Sequence, residues 1–121
     1  MSDKRVALVT AGASGIGKAI TECLLAEGIR VHICDLDQAA LDVCAAQHPC
    51  LTTTHCDVSD VGQVEQLFAD ITARYDRLDI VVNNAAIRPH KPFLEMTESD
   101  WHSVVDTGLT ASFRTAQAFL P

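Results

Sequence analysis

Three glycines and the residues around them stand where the first apolar run of the chain ends and the first helical pattern begins. These residues are Gly12, Ser14, Gly15, Ile16 and Gly17. The first amides of a helix lack intrahelical acceptors and lie at the positive end of the helix dipole. Glycine lets an anion approach such a backbone without meeting Cβ atoms. The segment therefore predicts a binding site for the diphosphate of a dinucleotide.

A carboxylate, Asp35, follows the second strand pattern, 18 residues after Gly17. At that place it can accept hydrogen bonds from the adenosine ribose hydroxyls and would repel a 2′-phosphate. Because Ala13, Ser14 and Leu36 supply no positive charge for such a phosphate, the residues favour NAD(H) over NADP(H), with Leu36 beside the cofactor. The alternative is that Asp35 only caps a helix or lies in a loop, since Asp is common after strands.

Strand and helix patterns alternate along the chain and must position these residues. Apolar runs predict strands over residues 5–10, 29–34, 51–56 and 78–83. Helices are predicted to begin at residues 16, 37, 60 and 97. This alternation predicts an α/β fold, a Rossmann-like doubly wound parallel sheet of order 3-2-1-4. We expect one continuous dinucleotide-binding domain over residues 1–121.

The composition excludes several classes of protein. The chain has 121 residues, 48% hydrophobic and 21% charged, which is typical of a globular domain and not of a disordered one. Its 9 Lys plus Arg and 16 Asp plus Glu give a net charge of −7, which argues against nucleic acids and anionic membranes as partners. No apolar stretch approaches the roughly 20 residues that span a bilayer. Without a signal-peptide pattern, we expect a cytoplasmic location.

The five cysteines of the chain, without a secretory signal, predict reduced thiols rather than disulfides. Some of them lie close to histidines in the sequence and could suggest a metal site. This group is Cys44, His48, Cys50, His55 and Cys56. Its spacing matches none of the ligand patterns of zinc sites, so we assign no metal ligands.

Two further motifs follow the third and fourth strands. They are Asp57 and Val58 after the third strand, and Asn84, Ala85 and Ala86 after the fourth. Together with the glycine turn and Asp35, these motifs resemble in order and spacing the N-terminal half of the short-chain dehydrogenase/reductase family. The resemblance implies that Asp57 and the backbone beside it contact adenine. It also implies that the second motif braces the sheet and lines the cofactor ribose, and that the cofactor is NAD.

Three residues depart from the pattern of the family that the chain resembles. Ala11 stands in place of the first glycine of the turn, and Ala86 replaces the usual glycine after the fourth strand. Gly108 stands where the family often carries a catalytic Asn, and glycine has no side chain to hold a water there. We expect cofactor binding to tolerate the two alanines, because alanine is the smallest possible change.

The resemblance implies a reaction, hydride transfer between nicotinamide and an alcohol or carbonyl substrate. It also implies a Ser and a Tyr-x-x-x-Lys for proton transfer, in which the Lys lowers the pKa of the Tyr. Tyr75 is the one tyrosine, and Asp79 stands four residues after it. We therefore assign no catalytic residue and expect this chain alone to be inactive. The alternative to an oxidoreductase is a non-catalytic dinucleotide-binding or structural fragment.

The resemblance implies that residues 1–121 are a partial dinucleotide-binding domain, truncated after the fourth strand and the helix that follows it. An open fourth strand and last helix would favour association of the chain with itself, or would lower its stability. Residues 80–82 form an apolar edge that could pair with another strand. Leu109, Phe113 and Phe119 of the last helix would face solvent. We expect a homo-oligomer through one of these surfaces.

Overall fold

The computed structural model describes residues 4–120, and its four strands form one parallel sheet of order β3-β2-β1-β4. The strands are β1 Val6–Thr10, β2 Arg30–Asp35, β3 Thr52–His55 and β4 Ile80–Val82. The helices are α1 Gly15–Ala26, α2 Gln38–Gln47, α3 Val61–Arg74, α4 Glu98–Val104 and α5 Ala111–Phe119. A 3₁₀ turn, Phe93–Glu95, precedes α4, and a π-helical segment, Val105–Thr110, joins α4 to α5. The predicted strand order is confirmed.

The centre of the core is β1, whose residues from Val6 to Val9 have no exposed surface. Alternate side chains of a strand point to opposite faces of the sheet. Accordingly Ala7 and Val9 belong to one apolar cluster with Leu41 of α2, and Leu8 belongs to a second cluster with Leu67 of α3. Helices therefore cover the sheet on both faces, which explains the continuous apolar runs of the strands.

Parallel pairing places the carboxyl ends of the strands at one edge of the sheet. Thr10 pairs with Cys34, Asp35 with His55, and Val9 with Val82. The segments after β1, β2, β3 and β4 consequently meet at this edge, which is where ligands bind in open α/β sheets.

The apolar pattern predicts one inward face of α1, formed by Ile16, Ile20, Cys23 and Leu24. In the structure Ile20 and Leu24 pack against the core, but the other two do not. Ile16 is 74% exposed and Cys23 is exposed, while Gly17 and Thr21 are buried. The Thr21 hydroxyl donates to Gly17 O at 2.8 Å, and Gly17 carries no side chain. The helix therefore approaches the end of β1 through its small residues, and Ile16 is left outside.

The last helical region also differs from its apolar pattern, which predicts an inward face that includes Trp101, Val105 and Leu109. Trp101 and Leu109 are 62% and 71% exposed, while Thr107, Ala111 and Thr115 are buried. The π-helical segment places an extra residue in one turn, and this shifts the inward face of every later residue. A pattern with a period of 3.6 residues cannot show this shift.

The α3 helix and the end of α5 pack against each other. The apolar spacing of α3 predicts that Val61 and Phe68 face inward, together with Val64 and Ile71. In the structure Val61 and Phe68 are 49% and 38% exposed, whereas Val64, Ile71 and also Leu67 are buried. The Phe68 and Phe119 ring centroids lie 5.1 Å apart, so Phe119 contacts α3 rather than facing only solvent.

A candidate membrane-spanning helix, which needs both length and an apolar composition, is not found within residues 4–120.

Replacing Gly108 by alanine is expected to raise the free energy of unfolding by up to about 1 kcal/mol, because glycine is a poor helix former. A Cβ added at Gly108 meets no atom within 4 Å. Chemical denaturation of wild type and Gly108→Ala measures the effect. The matched variant Gly12→Ala should be destabilised, since its Cβ would lie 2.6 Å from Ile33 Cγ2. A less stable Gly108→Ala would show that the open space is needed.

Candidate cofactor site

The three glycines of the turn between β1 and α1 meet two different physical requirements. A Cβ on Gly12 would lie 2.6 Å from Ile33 Cγ2, and one on Gly17 would overlap the carbonyl oxygen of Ala11. Gly15 has a φ of +55° and open space where its Cβ would be. Gly12 and Gly17 therefore allow close packing of the turn. Gly15 supplies a left-handed conformation and leaves room above the backbone.

The turn is tied to the end of β4 through Asn84 and Thr10. Asn84 Nδ2 donates to Thr10 O at 3.2 Å and to Ala11 O at 3.3 Å. The amides of Asn84 and Ala85 both donate to Thr10 Oγ1, at 2.9 and 3.0 Å. Ala11 adopts a φ of +51°, a conformation that costs a residue other than glycine roughly 1 kcal/mol. The alanine thus keeps a left-handed conformation, held there by the hydrogen bonds of Asn84.

Among residues 4–120, no side-chain cap is found at the N-terminus of α1. Its N-cap, Ser14, makes no side-chain hydrogen bond, and its first turn carries no acidic residue. By contrast, α2, α3 and α4 are capped by Asp37, Asp60 and Thr97. The amides at the start of α1 therefore keep their capacity to donate to an external anion.

The carboxylate of Asp35 is held at the end of β2 by two backbone amides. Oδ2 accepts from Ala13 N at 3.1 Å, and Oδ1 accepts from Asp37 N at 3.0 Å. Because Asp37 is the residue that caps α2, Asp35 is not the cap of that helix. Its carboxylate instead links the glycine turn, through Ala13 N, to the start of α2, through Asp37 N. Leu36 beside it is 58% exposed.

The segment after β3 forms a tight turn around Asp57. Asp57 Oδ1 accepts from the amide and the hydroxyl of Ser59, at 2.9 and 2.6 Å. The Asp57 amide donates to Gln63 Oε1 at 2.7 Å, which ties the turn to α3. Val58 is buried beside it. The turn thus presents Asp57 and Val58 in one defined conformation.

These segments enclose a cleft of about 190 Å³. The predicted site residues that line it are Ser14, Asp35, Leu36, Asp57, Val58, Ala85 and Ala86. The other five, Gly12, Gly15, Ile16, Gly17 and Asn84, are not among the lining residues; they form or brace the turn at its edge. The lining residues that were not predicted as cofactor ligands are Ala11, Cys56, Ile87 and Thr107.

Thr107 reaches the cleft from a distant part of the sequence. It lies in the π-helical segment, is 8% exposed, and faces the cleft together with Val58 and Ala85. Its neighbour Gly108 is the position compared above with a catalytic Asn of the family that the chain resembles. The extra residue of the π turn, however, determines which side chain points inward. Since the spacing of apolar residues does not reveal that turn, Thr107 had no clear signal in the sequence.

Two buried thiols lie at this edge of the sheet: Cys34 near the end of β2, and Cys56, which follows β3 and lines the cleft. A hydrogen bond with Cys56, and then burial, raise the pKa of Cys34 well above its usual range. The same hydrogen bond lowers the pKa of Cys56. Within the part of the chain that the structure describes, no three His, Cys, Asp or Glu side chains form a group that could hold a metal ion.

Known proteins resemble this chain over nearly its whole length. The family model for short chain dehydrogenase matches residues 5–121. One curated relative is the (5R,7aS)-5-hydroxy-7a-methyl-1-oxo-2,3,5,6,7,7a-hexahydro-1H-indene-carboxyl-CoA reductase of Mycobacterium tuberculosis. It is 40% identical to this chain, over 98% of this chain and 47% of its own length. D-threitol dehydrogenase of Mycolicibacterium smegmatis is 35% identical over 96% of this chain and 46% of its own length. The chain thus spans about half the length of these curated relatives.

Solved structures give the same result. A short-chain dehydrogenase from Streptomyces avermitilis has a TM-score of 0.92 and 33% identity, over all of this chain and 45% of its own. An actinorhodin polyketide ketoreductase with NADPH has a TM-score of 0.92 and 34% identity, over 98% of this chain and 47% of its own. With the glycine turn, the strand order and the family match in agreement, the chain belongs to the short chain dehydrogenase family.

Proposed function

We propose that the chain binds NAD(H) in the cleft at the carboxyl ends of the strands. The diphosphate would accept hydrogen bonds from the first amides of α1, and the adenosine ribose would donate to Asp35. The observation that carries this proposal is the Asp35 carboxylate, held by Ala13 N and Asp37 N beside an uncapped helix start. The open space over Gly15 fits a ligand that approaches the backbone.

The charge at the cleft supports NAD(H) rather than NADP(H). Among the described residues that line it, two are acidic, Asp35 and Asp57, and none is Lys or Arg. A 2′-phosphate next to Asp35 would place like charges together without a counter-charge. The ketoreductase with NADPH shows that relatives of this fold also use the phosphorylated cofactor, so the preference depends on these local residues.

For the whole protein, we propose an oxidoreductase that acts on an alcohol or carbonyl compound. Bound nicotinamide supplies the hydride chemistry, while the protein supplies position and electrostatics. This chain contributes the residues that bind and orient the dinucleotide. Gly108 contributes no side chain to a proton relay, and the one tyrosine, Tyr75, donates to or accepts from Thr52 at 2.6 Å in the core. This observation favours a second candidate, binding without turnover, which an alcohol-oxidation assay of the chain distinguishes.

Replacing Asp35 by asparagine is expected to lower the affinity for NADH about tenfold, the size of a hydrogen bond to a charged group, and to raise the affinity for NADPH. Asparagine keeps one oxygen acceptor for the backbone amides but removes the negative charge. Fluorescence titration of both cofactors with wild type and Asp35→Asn measures the preference.

The matched control is Asp37→Asn, which makes the same change of charge two residues away and keeps a good helix cap. It should leave the preference between NADH and NADPH as in wild type. A wild-type chain that binds NADPH as tightly as NADH would refute the proposed specificity.

A further inference from the structure

Arg114 links α5 to the turn that presents Asp57. Its Nη1 donates to Ser59 O at 2.8 Å, across 55 residues of sequence. Ser59 in turn donates its amide and hydroxyl to Asp57 Oδ1. A continuous series of hydrogen bonds therefore runs from α5 through Ser59 to Asp57, a residue that lines the cleft.

The turn leaves part of the Asp57 carboxylate open to a ligand. Oδ1 accepts both hydrogen bonds from Ser59, and within residues 4–120 no hydrogen bond to Oδ2 is present. Oδ2 can therefore accept from a donor in the cleft, and the direction in which it points depends on how Ser59 is held.

The remaining contacts of the turn do not replace the one from Arg114. Gln63 accepts from the Asp57 amide at 2.7 Å, and the Asp60 amide donates to Asp57 O at 3.0 Å. Both contacts hold the backbone of Asp57 and Asp60 at the start of α3. Neither holds the carbonyl of Ser59, so loss of Arg114 would leave the turn formed but free the Ser59 peptide.

We propose that Arg114 is a positioning residue for the adenine end of the dinucleotide. By holding Ser59, it orients the Asp57 carboxylate so that this group accepts a hydrogen bond from the exocyclic amine of adenine. The inference rests on the proposed function, because it assumes that a dinucleotide occupies the cleft. It extends the site to a residue of α5 that does not line the cleft.

The test compares NAD⁺ with its hypoxanthine analogue, in which an oxygen replaces the adenine amine. A carboxylate accepts a hydrogen bond from the amine and repels the oxygen, so wild type should prefer NAD⁺ about tenfold. In Arg114→Gln, the ratio of the two dissociation constants should fall to about twofold. Arg114→Lys, which keeps a donor and the charge, should restore part of the ratio. Calorimetric titration gives all of these constants.

The ratio separates positioning from a structural role, since a general loss of stability would weaken both ligands equally. Ser59→Ala removes the hydroxyl donor to Asp57 and should also lower the ratio, which keeps the proposal testable if Arg114→Gln does not fold. Should wild type bind neither ligand, the proposed function itself is wrong. If wild type binds both equally, if a folded Arg114→Gln keeps the wild-type ratio, or if Ser59→Ala keeps it, only the positioning proposal is overturned.

Discussion

Replacing Gly17 by alanine is expected to lower the free energy of unfolding by about 3 kcal/mol and to abolish dinucleotide binding. The added Cβ would overlap the carbonyl oxygen of Ala11 and lie 2.6 Å from Asn84 Nδ2. The first of these atoms belongs to the backbone, and the second holds that backbone through two hydrogen bonds. Relief therefore requires the turn and the start of α1 to move apart. Chemical denaturation and NADH titration of Gly17→Ala measure both effects.

Gly15→Ala is the matched control for this prediction. Its Cβ meets no atom within 4 Å, so only the left-handed φ of +55° is penalised, at about 1 kcal/mol. The two variants separate close packing from backbone conformation. Equal stabilities of Gly17→Ala and wild type would contradict the described packing of α1 against the turn.

The second prediction concerns His32, which has no exposed surface and lies within a row of hydrogen-bonding groups. Its Nε2 contacts Thr54 Oγ1 at 2.7 Å, and its Nδ1 contacts Thr52 Oγ1 at 2.6 Å. Since Thr54 Oγ1 donates its proton to Asp70, it must accept from Nε2–H. Nδ1 then accepts from Thr52, whose oxygen accepts from Tyr75. Neutral His32 satisfies every member of this row.

Protonation of His32 is therefore opposed by the fold. Burial lowers the pKa of His32 from 6.5 to about 4; the Arg74 guanidinium lowers it as well and the Asp70 carboxylate raises it. Below pH 6.5 the unfolded chain binds a proton that the folded chain refuses. The contribution of neutral His32 to the free energy of unfolding is therefore complete above pH 6.5 and is lost as the pH falls toward 4. We expect a loss of about 2 kcal/mol between pH 7 and pH 5, at 1.4 kcal/mol per pH unit.

Denaturation curves of wild type and His32→Gln at pH 7 and pH 5 test this prediction. Glutamine keeps a donor and an acceptor in the core but does not titrate, so the variant should lose much less stability over the interval. Asp70, which accepts a hydrogen bond from Thr54, has a pKa below its usual value of 3.8. Its effect on the free energy of unfolding therefore falls below the pH range of this test. A variant with the same pH dependence as wild type would show that His32 does not cause the acid sensitivity.

The local sequence was sufficient to predict the sheet and the edge of it at which the cleft lies. The apolar runs are continuous because helices cover both faces of the sheet. Their alternation with helices predicts a doubly wound sheet of order 3-2-1-4, which the structure confirms. Glycines next to a strand end, and Asp35 after the next strand, describe short-range geometry. Asp35 and Leu36 were placed by these local residues, whereas Asp57 and Val58 were placed by the resemblance to the family; all four line the cleft.

Features that depend on contacts between distant segments could not be predicted. The inward face of α1 follows from the fit of Gly17 against Ala11, and the position of Thr107 follows from a π turn. The row of groups around His32 needs Thr52 and Thr54 of the neighbouring strand at a particular register. In each case the spacing within one segment carries no information about the partner.

The most direct test of the cofactor site is a titration of the ¹⁵N-labelled chain with NAD⁺, followed by NMR. We expect the largest shifts at the amides of Gly15, Ile16 and Gly17, followed by those of Leu36 and Val58 along the cleft. Shifts confined to amides of α3 and α5, or a glycine turn whose amides do not shift at saturation, would contradict the proposed site.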